Sequence, residues 1–227
     1  MVRQRKKMTL IIAAKTKDSI IIGADSRAVQ EDRAGTRIIN DAAEKLVQLN
    51  KHSCILMAGD SQPGTYLIEE FKKRIGKKNK DIITISRELS EFCRKEYKPY
   101  IDYGGSNKTP NVSFILVGLE KNGTPRIFLI SSYNSFFIGE EKQYAIIGKD
   151  NISNYLFAKL YKKSCDSSEN MTKLIVQCLY DTEKIDGDSG GKMHVGTITK
   201  KYGFVETGVD SYVNDIENND LIKLIEK

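Results

Sequence analysis

The most constraining feature of this sequence is a set of short apolar runs that do not alternate. Residues 9–15, TLIIAAK, and 19–25, SIIIGAD, are apolar at odd and even positions alike. Successive side chains of a strand face opposite sides, so a run of this kind needs cover on both faces. The two runs flank TKDS, a tight turn, and read as a hairpin. KLVQLN and SCILMAG form a second pair around Asn50, Lys51 and His52.

From Pro63 the period changes. GTYLIEEFKKRI sets Tyr66, Leu67, Phe71 and Ile75 on one helical stripe that Gly76 ends, and Leu89, Phe92, Cys93 and Tyr97 mark the inward face of a second helix. NVSFILVGLE, PRIFLISS, SFFIG and YAIIG then read as an antiparallel meander, with turns at Asn122-Gly123, Tyr133-Asn134 and Glu140-Glu141. Helices follow near 151–162 and 169–184. After them come the strands MHVGTITK and FVETG around Tyr202-Gly203, and a short helix near 215–226. The polar stretch 27–42 reads as a long loop with room for one short strand. Strands, two helices, strands, two helices, strands: two stacked sheets with helices on both outer faces satisfy every apolar surface. The expected class is α+β, a four-layer αββα sandwich of two antiparallel sheets.

The chain has 227 residues, enough for one large domain whose core needs no staples. Its net charge is +6, but the lysines are scattered and no arginine-rich stripe with interleaved aromatics is present, so nucleic acid is not the expected partner. Cys54, Cys93, Cys165 and Cys178 share no close spacing and read as small buried hydrophobes of a reducing compartment. No run approaches the roughly 20 apolar residues of a membrane span. The basic start MVRQRKK is not followed by a signal-peptide core, so a cytoplasmic protein is expected. No zinc, calcium or phosphate-loop pattern occurs, and no cofactor is expected.

Three residues acquire meaning from their arrangement. Thr9 opens the first strand, Asp25 closes the antiparallel second, and Lys45 begins the next. A threonine hydroxyl needs a base, and a free α-amine, with a pKa of about 8, can be that base near neutral pH. A lysine ammonium beside it lowers the pKa of its neighbours, and an aspartate holds the lysine. A glycine N–H at a strand end supplies an oxyanion donor, and LMAGDS offers Gly59. A serine nucleophile at Ser61 fails on glycine spacing, and His52 in a turn and His194 in a strand form no convincing relay.

On four stretches the sequence resembles a prokaryotic or archaeal-like proteasome β-type subunit, a threonine peptidase of the N-terminal-nucleophile hydrolase superfamily. They are TLIIAAKTKDSIIIGADSRA, EKLVQLNKHSCILMAGDSQPGTYLIEEF, YAIIGKDN and DGDSGGKMHVGTITKKYGF. The resemblance implies Thr9 as nucleophile, Asp25 and Lys45 as its supporting pair and Gly59 as oxyanion donor. It implies that Asp186 and Ser189 orient Thr9 and its amine, and that Ala28 and Met57 line a pocket for apolar side chains. It further implies rings with other β-type and α-type subunits, an ATP-dependent unfoldase and unfolded polypeptide as substrate. Two alternatives remain: a non-catalytic structural ring subunit, and a divergent amidohydrolase of the superfamily with a non-protein substrate.

The sequence departs from the family pattern in three places. Met8 stands where a glycine usually precedes the nucleophile, and Lys149 where a serine usually follows the glycine. The segment from Arg27 to Lys45 is a few residues longer than usual. Translation from Met8 with removal of the methionine would expose Thr9. Translation from Met1 would make residues 1–8 a short propeptide or a permanent tail. The expected organisation is therefore a leader, propeptide or mis-assigned start over 1–8 and the β-type domain over 9–227.

Overall fold

A computed structural model describes residues 9–31, 36–76, 80–102, 110–148 and 151–218. Its elements in chain order are β1 (Ile11–Lys15), β2 (Ser19–Ala24), β3 (Ala28–Glu31), β4 (Arg37–Asn40), β5 (Leu46–Asn50) and β6 (Ser53–Gly59). Then come α1 (Ser61–Ile75), α2 (Ile82–Asp102), β7 (Val112–Leu119), β8 (Pro125–Ser131), β9 (Ile138–Glu141) and β10 (Tyr144–Ile147). The last five are α3 (Asn151–Ser164), α4 (Ser168–Ile185), β11 (His194–Thr199), β12 (Gly203–Thr207) and α5 (Asp210–Asn218).

Two five-stranded sheets carry the fold, in the orders β10-β1-β2-β11-β12 and β5-β6-β7-β8-β9. All their pairings are antiparallel. Their facing surfaces bury Ile11, Ala13, Ile20 and Ile22 against Cys54, Leu56, Ile115, Val117 and Ile127. The opposite parity of the same strands meets the helices. Leu10, Ile12, Ala14 and Ile21 pack on Phe157, Met171, Leu174 and Ile175. On the other side Ile55, Met57, Phe114 and Leu116 pack on Leu67, Phe71, Leu89 and Cys93. This is the αββα sandwich, and it explains why β1, β2, β6 and β7 carry apolar residues at both parities: each lies between a sheet and a helical layer.

Local chemistry sets the helix ends. Ser167 caps α4 by accepting a hydrogen bond from Asn170 N. In α4 the buried Met171, Leu174, Ile175, Cys178, Leu179 and Thr182 repeat at three- and four-residue intervals on the face toward the sheet. Gly76 ends α1 with φ 60° and returns its N–H to Lys72 O, and the basic Lys72, Lys73 and Arg74 sit at the negative end of the helix dipole. Gly23 lets α4 approach β2: a Cβ there would lie 2.4 Å from Ile175 Cγ2.

The structure corrects several expectations. Within 27–42 two strands pair where a loop with one short strand was expected, since β3 and β4 form their own two-stranded sheet. The four-strand meander breaks after β9: β10 crosses to the other sheet and pairs with β1. There Tyr144 packs edge-on against Phe157 and at a tilt against Tyr161, a contact local patterning cannot foresee. Glu140 and Glu141 lie within β9 rather than in a turn. Ser135 and Phe136 take left-handed backbone (φ 55° and 58°) and precede β9. Tyr66, expected on the buried stripe of α1, is 43% exposed. Cys165 is only half-buried, unlike the other three cysteines. The last helix begins at Asp210, five residues before the expected 215, and its expected continuation past 218 lies outside the described residues. The 1–8 segment with Met8, and Lys149, also lie outside them.

Candidate active site

The hairpin of β1 and β2 pairs Ile11 with Ala24. One residue further on, Asp25 N donates to Leu10 O (3.2 Å) and Leu10 N donates to Asp25 Oδ1 (3.0 Å). The Asp25 carboxylate is thereby fixed at the end of the hairpin where Thr9 emerges. Lys45 immediately precedes β5, and its carbonyl accepts from Met57 N (2.8 Å), which ties it to β6 in the facing sheet. From there Lys45 Nζ donates to Asp25 Oδ1 (2.8 Å) and to Thr9 Oγ1 (3.0 Å). The three residues therefore meet, although 36 positions of sequence separate the outer two.

The ion pair is almost fully enclosed, with side-chain exposures of 4% for Lys45 and 3% for Asp25. Burial pushes the Lys45 ammonium below the ordinary lysine range, and the Asp25 charge opposes that shift. Burial pushes Asp25 up, against the Lys45 charge and hydrogen bond and the N–H groups of Gly190 and Leu10. Such a pair presents a cation to the Thr9 hydroxyl while its own proton is less firmly held than that of a surface lysine.

Thr9 opens into a cleft lined by Ala28, Val29, Ala43, Lys45, Met57, Ala58, Gly59 and Ser61. Apart from Lys45, Thr9 and Ser61 its walls are small or apolar. Gly59 ends β6 at φ 104°, in left-handed space, and a Cβ there would lie 2.1 Å from Asn111 O. Only glycine fits this corner. The next residue is pinned to the same partner: Asp60 N donates to Asn111 O (2.7 Å), and Asn111 N donates to Asp60 Oδ2 (2.8 Å).

Asp186 and Ser189 lie in the turn after α4. Ser189 Oγ donates to Asp186 Oδ2 (3.1 Å), and Asp188 N donates to Asp186 Oδ1 (3.1 Å). The turn reaches the site through its backbone, because Gly190 N donates to Asp25 Oδ2 (3.1 Å). His52 and His194 are engaged elsewhere: His52 Nε2 lies 3.2 Å from Lys200 O, and His194 Nδ1 lies 2.9 Å from Glu206 Oε1.

The roles of four participants escape residue-by-residue reading of the sequence. Leu10 and Gly190 act through backbone N–H groups, which leave no mark on residue identity. For Gly190 a signal existed in the doublet Gly190-Gly191, and both members have positive φ (135° and 76°). Arg27 and Asp41 form a bidentate ion pair beside the turn, with Nε to Oδ1 at 2.6 Å and Nη2 to Oδ2 at 3.1 Å. Among the described residues, no group of three His, Cys, Asp or Glu is placed to hold a metal ion, and no helix is long and apolar enough to cross a membrane.

Comparison with known proteins places this geometry in context. A family model described as "Proteasome subunit" matches residues 6–198. A curated relative, "Proteasome subunit beta" of Stackebrandtia nassauensis, is 23% identical over 201 residues, which are 81% of this chain and 65% of that protein. This chain thus spans just under two thirds of that relative's length. Among solved structures, the Anbu (Gly-1) mutant from Hyphomicrobium sp. strain MC1 superposes with a TM-score of 0.71 at 16% identity, covering 96% of this chain and 97% of that one. That likeness speaks to the fold.

Proposed function

The chain belongs to the proteasome subunit family as a β-type member, and from that premise we propose that it is a threonine-type endopeptidase with Thr9 as its nucleophile. The observation that carries this reading is Lys45 Nζ, 3.0 Å from Thr9 Oγ1 and 2.8 Å from Asp25 Oδ1, at the wall of an otherwise mostly apolar cleft.

In this mechanism Thr9 must carry a free α-amine, so the residues before it are removed. The amine takes the hydroxyl proton, directly or through a water. The Lys45 cation, held by Asp25, favours the alkoxide as it forms. Thr9 Oγ bonds to the carbonyl carbon of a peptide, and the oxyanion turns toward Gly59 N–H. The C–N bond then breaks as the leaving amine takes the proton. Water attacks the resulting ester, releases the carboxylic acid and restores the hydroxyl. Asp186 and Ser189 support the arrangement through the turn that carries Gly190. Ala28 and Met57, in the wall of the cleft, favour apolar side chains next to the scissile bond.

Family membership also supports assembly into rings with β-type or α-type subunits, in which the cleft faces a chamber. Unfolded polypeptide is then the substrate and an ATP-driven unfoldase the supplier, in the cytoplasm. On this reading the acting unit begins at Thr9.

The test compares three proteins: one whose first residue is Thr9, exposed by a specific protease cut, one with a stable extension before Thr9, and Thr9→Ala. Fluorogenic peptides with an apolar residue before the bond report turnover. An acylating electrophile followed by intact-mass analysis reports Thr9 itself. Turnover and a single adduct in the exposed-Thr9 protein alone are expected. Equal turnover in all three, or none in any, overturns the reading; the latter leaves a structural ring subunit.

A further inference from the structure

Outside the residues assigned to chemistry, one side chain gathers an unusual set of partners. Arg27 pairs with Asp41 through both arms of its guanidinium, at 2.6 and 3.1 Å. Its remaining nitrogen, Nη1, donates to Ser189 O (3.0 Å) and Gly187 O (3.4 Å). Nη2 also lies 3.9 Å from Glu183 Oε1 at the end of α4. Its backbone joins the same turn, since Arg27 N and Ser26 N both donate to Gly190 O (2.8 and 3.1 Å).

The turn is thus gripped from both sides. Gly190 accepts from residues 26 and 27 and gives its own N–H to Asp25 Oδ2 (3.1 Å). A Cβ on Gly190 would lie 2.6 Å from Glu183 Oε1 and 3.0 Å from Arg27 Nη1, so the guanidinium fits closely under the turn. Asp41 fastens the far end: its carbonyl accepts from Ser26 Oγ, and Ala43 N donates to Ser26 O (2.9 Å), two residues before Lys45. The segment that delivers Lys45 and the turn that delivers the Gly190 N–H therefore share one anchor.

We propose that Arg27, oriented by Asp41, is a positioning residue for the reaction: it holds the 187–191 turn against Asp25 and so keeps Asp25, Lys45 and Thr9 aligned. This rests on the reading of Thr9 as nucleophile. A surface ion pair by itself contributes little stability. The fork geometry is what the site uses, and a lysine, with one point of charge, cannot span a carboxylate and two carbonyls.

The experiment uses the protein with exposed Thr9 and the variants Arg27→Gln, Arg27→Lys, Asp41→Asn and the double Arg27→Gln/Asp41→Asn. For Arg27→Gln, kcat should fall about 10- to 100-fold, as small misplacements of catalytic groups do. KM should stay within about twofold, because neither Arg27 nor Asp41 lines the cleft. Arg27→Lys should not restore kcat. Asp41→Asn should lose less, and the double variant should be no worse than Arg27→Gln, because the two act as a unit. Amide hydrogen exchange should quicken in the 187–191 turn and stay unchanged in β7 and β8. Unchanged kcat in Arg27→Gln, full rescue by lysine, or losses that multiply in the double variant overturn the proposal. If the unsubstituted protein shows no turnover, the peptidase reading falls, and exchange alone decides the tether: unchanged protection of the turn in Arg27→Gln overturns it too.

Discussion

Asp25 and Lys45 meet at 2.8 Å with both side chains closed off from solvent. The pair joins the two sheets of the sandwich, because Asp25 follows β2 of one sheet and Lys45 precedes β5 of the other. Its removal tests structure and chemistry separately. Lys45→Met leaves a buried carboxylate without its counter-charge and should cost about 3–5 kcal/mol. The double variant Asp25→Asn/Lys45→Met removes both charges and keeps an acceptor for a backbone N–H, so most of that loss should return. Neither variant should hydrolyse peptides. Urea midpoints alongside turnover check this; a stable, active Lys45→Met would contradict it.

The same pair sets a dependence of stability on pH. Burial raises Asp25 above its unfolded value, so the folded state holds a proton that the unfolded chain releases. That contribution is complete below the unfolded value of 3.8 and is lost as pH rises through the raised folded value. Burial lowers Lys45, so the folded state releases a proton that the unfolded chain keeps. Stability therefore rises with pH between the lowered folded value and the unfolded 10.5. Unfolding midpoints across pH should show both slopes. Asp25→Asn should flatten the acid-side slope and Lys45→Met the alkaline one.

Gly59→Ala tests the corner of the cleft. A side chain there is strained by φ 104° and meets Asn111 O at 2.1 Å. A cost of about 1–3 kcal/mol is expected for the backbone strain. Moving Asn111 would also disturb its two hydrogen bonds with Asp60. An unchanged unfolding midpoint would show that β6 ends differently.

Gly23→Ala tests the contact between sheet and helix. The added methyl would meet Ile175 Cγ2 at 2.4 Å, and overpacking of this kind costs about 1–3 kcal/mol. Ile175→Ala in the same chain removes the clashing atom. The double variant should therefore be less destabilised than the sum of the two single ones, as a thermal-melt cycle would reveal.

Thiol reactivity follows burial. Cys54, Cys93 and Cys178 are buried, and burial pushes each thiol above its ordinary range. Cys165 is half-buried at the end of α3. A chromogenic disulfide should titrate one thiol quickly in the native protein and all 4 after denaturation. Fast labelling of three or four would mean that the core opens readily.

The apolar runs alone determined that sheets would be covered on both faces, because a strand apolar at both parities has no side to give to water. They also determined the order of strands and helices, since turns and helix ends are written in local chemistry such as Gly76 and Asn122-Gly123. The placement of Thr9 beside Asp25 was legible because antiparallel pairing brings the start of one strand to the end of the next, whereas Lys45 reaches them from the facing sheet, which the hairpin does not dictate. What the runs could not specify is the choice of neighbour. β10 is as apolar as the strands before it, and its neighbour is set by tertiary packing, in which Tyr144 and Ile146 meet the helical layer while Ala145 and Ile147 face the other sheet. The β3–β4 pairing escaped because β4 is exposed and carries no burial pattern. The grip on Asp25 escaped for a related reason: Leu10 and Gly190 serve through main-chain N–H groups that every residue but proline possesses. Arg27 and Glu183 stand far apart along the chain and are joined only where α4 returns to the first hairpin. Which groups can hydrogen-bond is a property of composition. Which of them are within 3 Å of one another is a property of the folded chain alone.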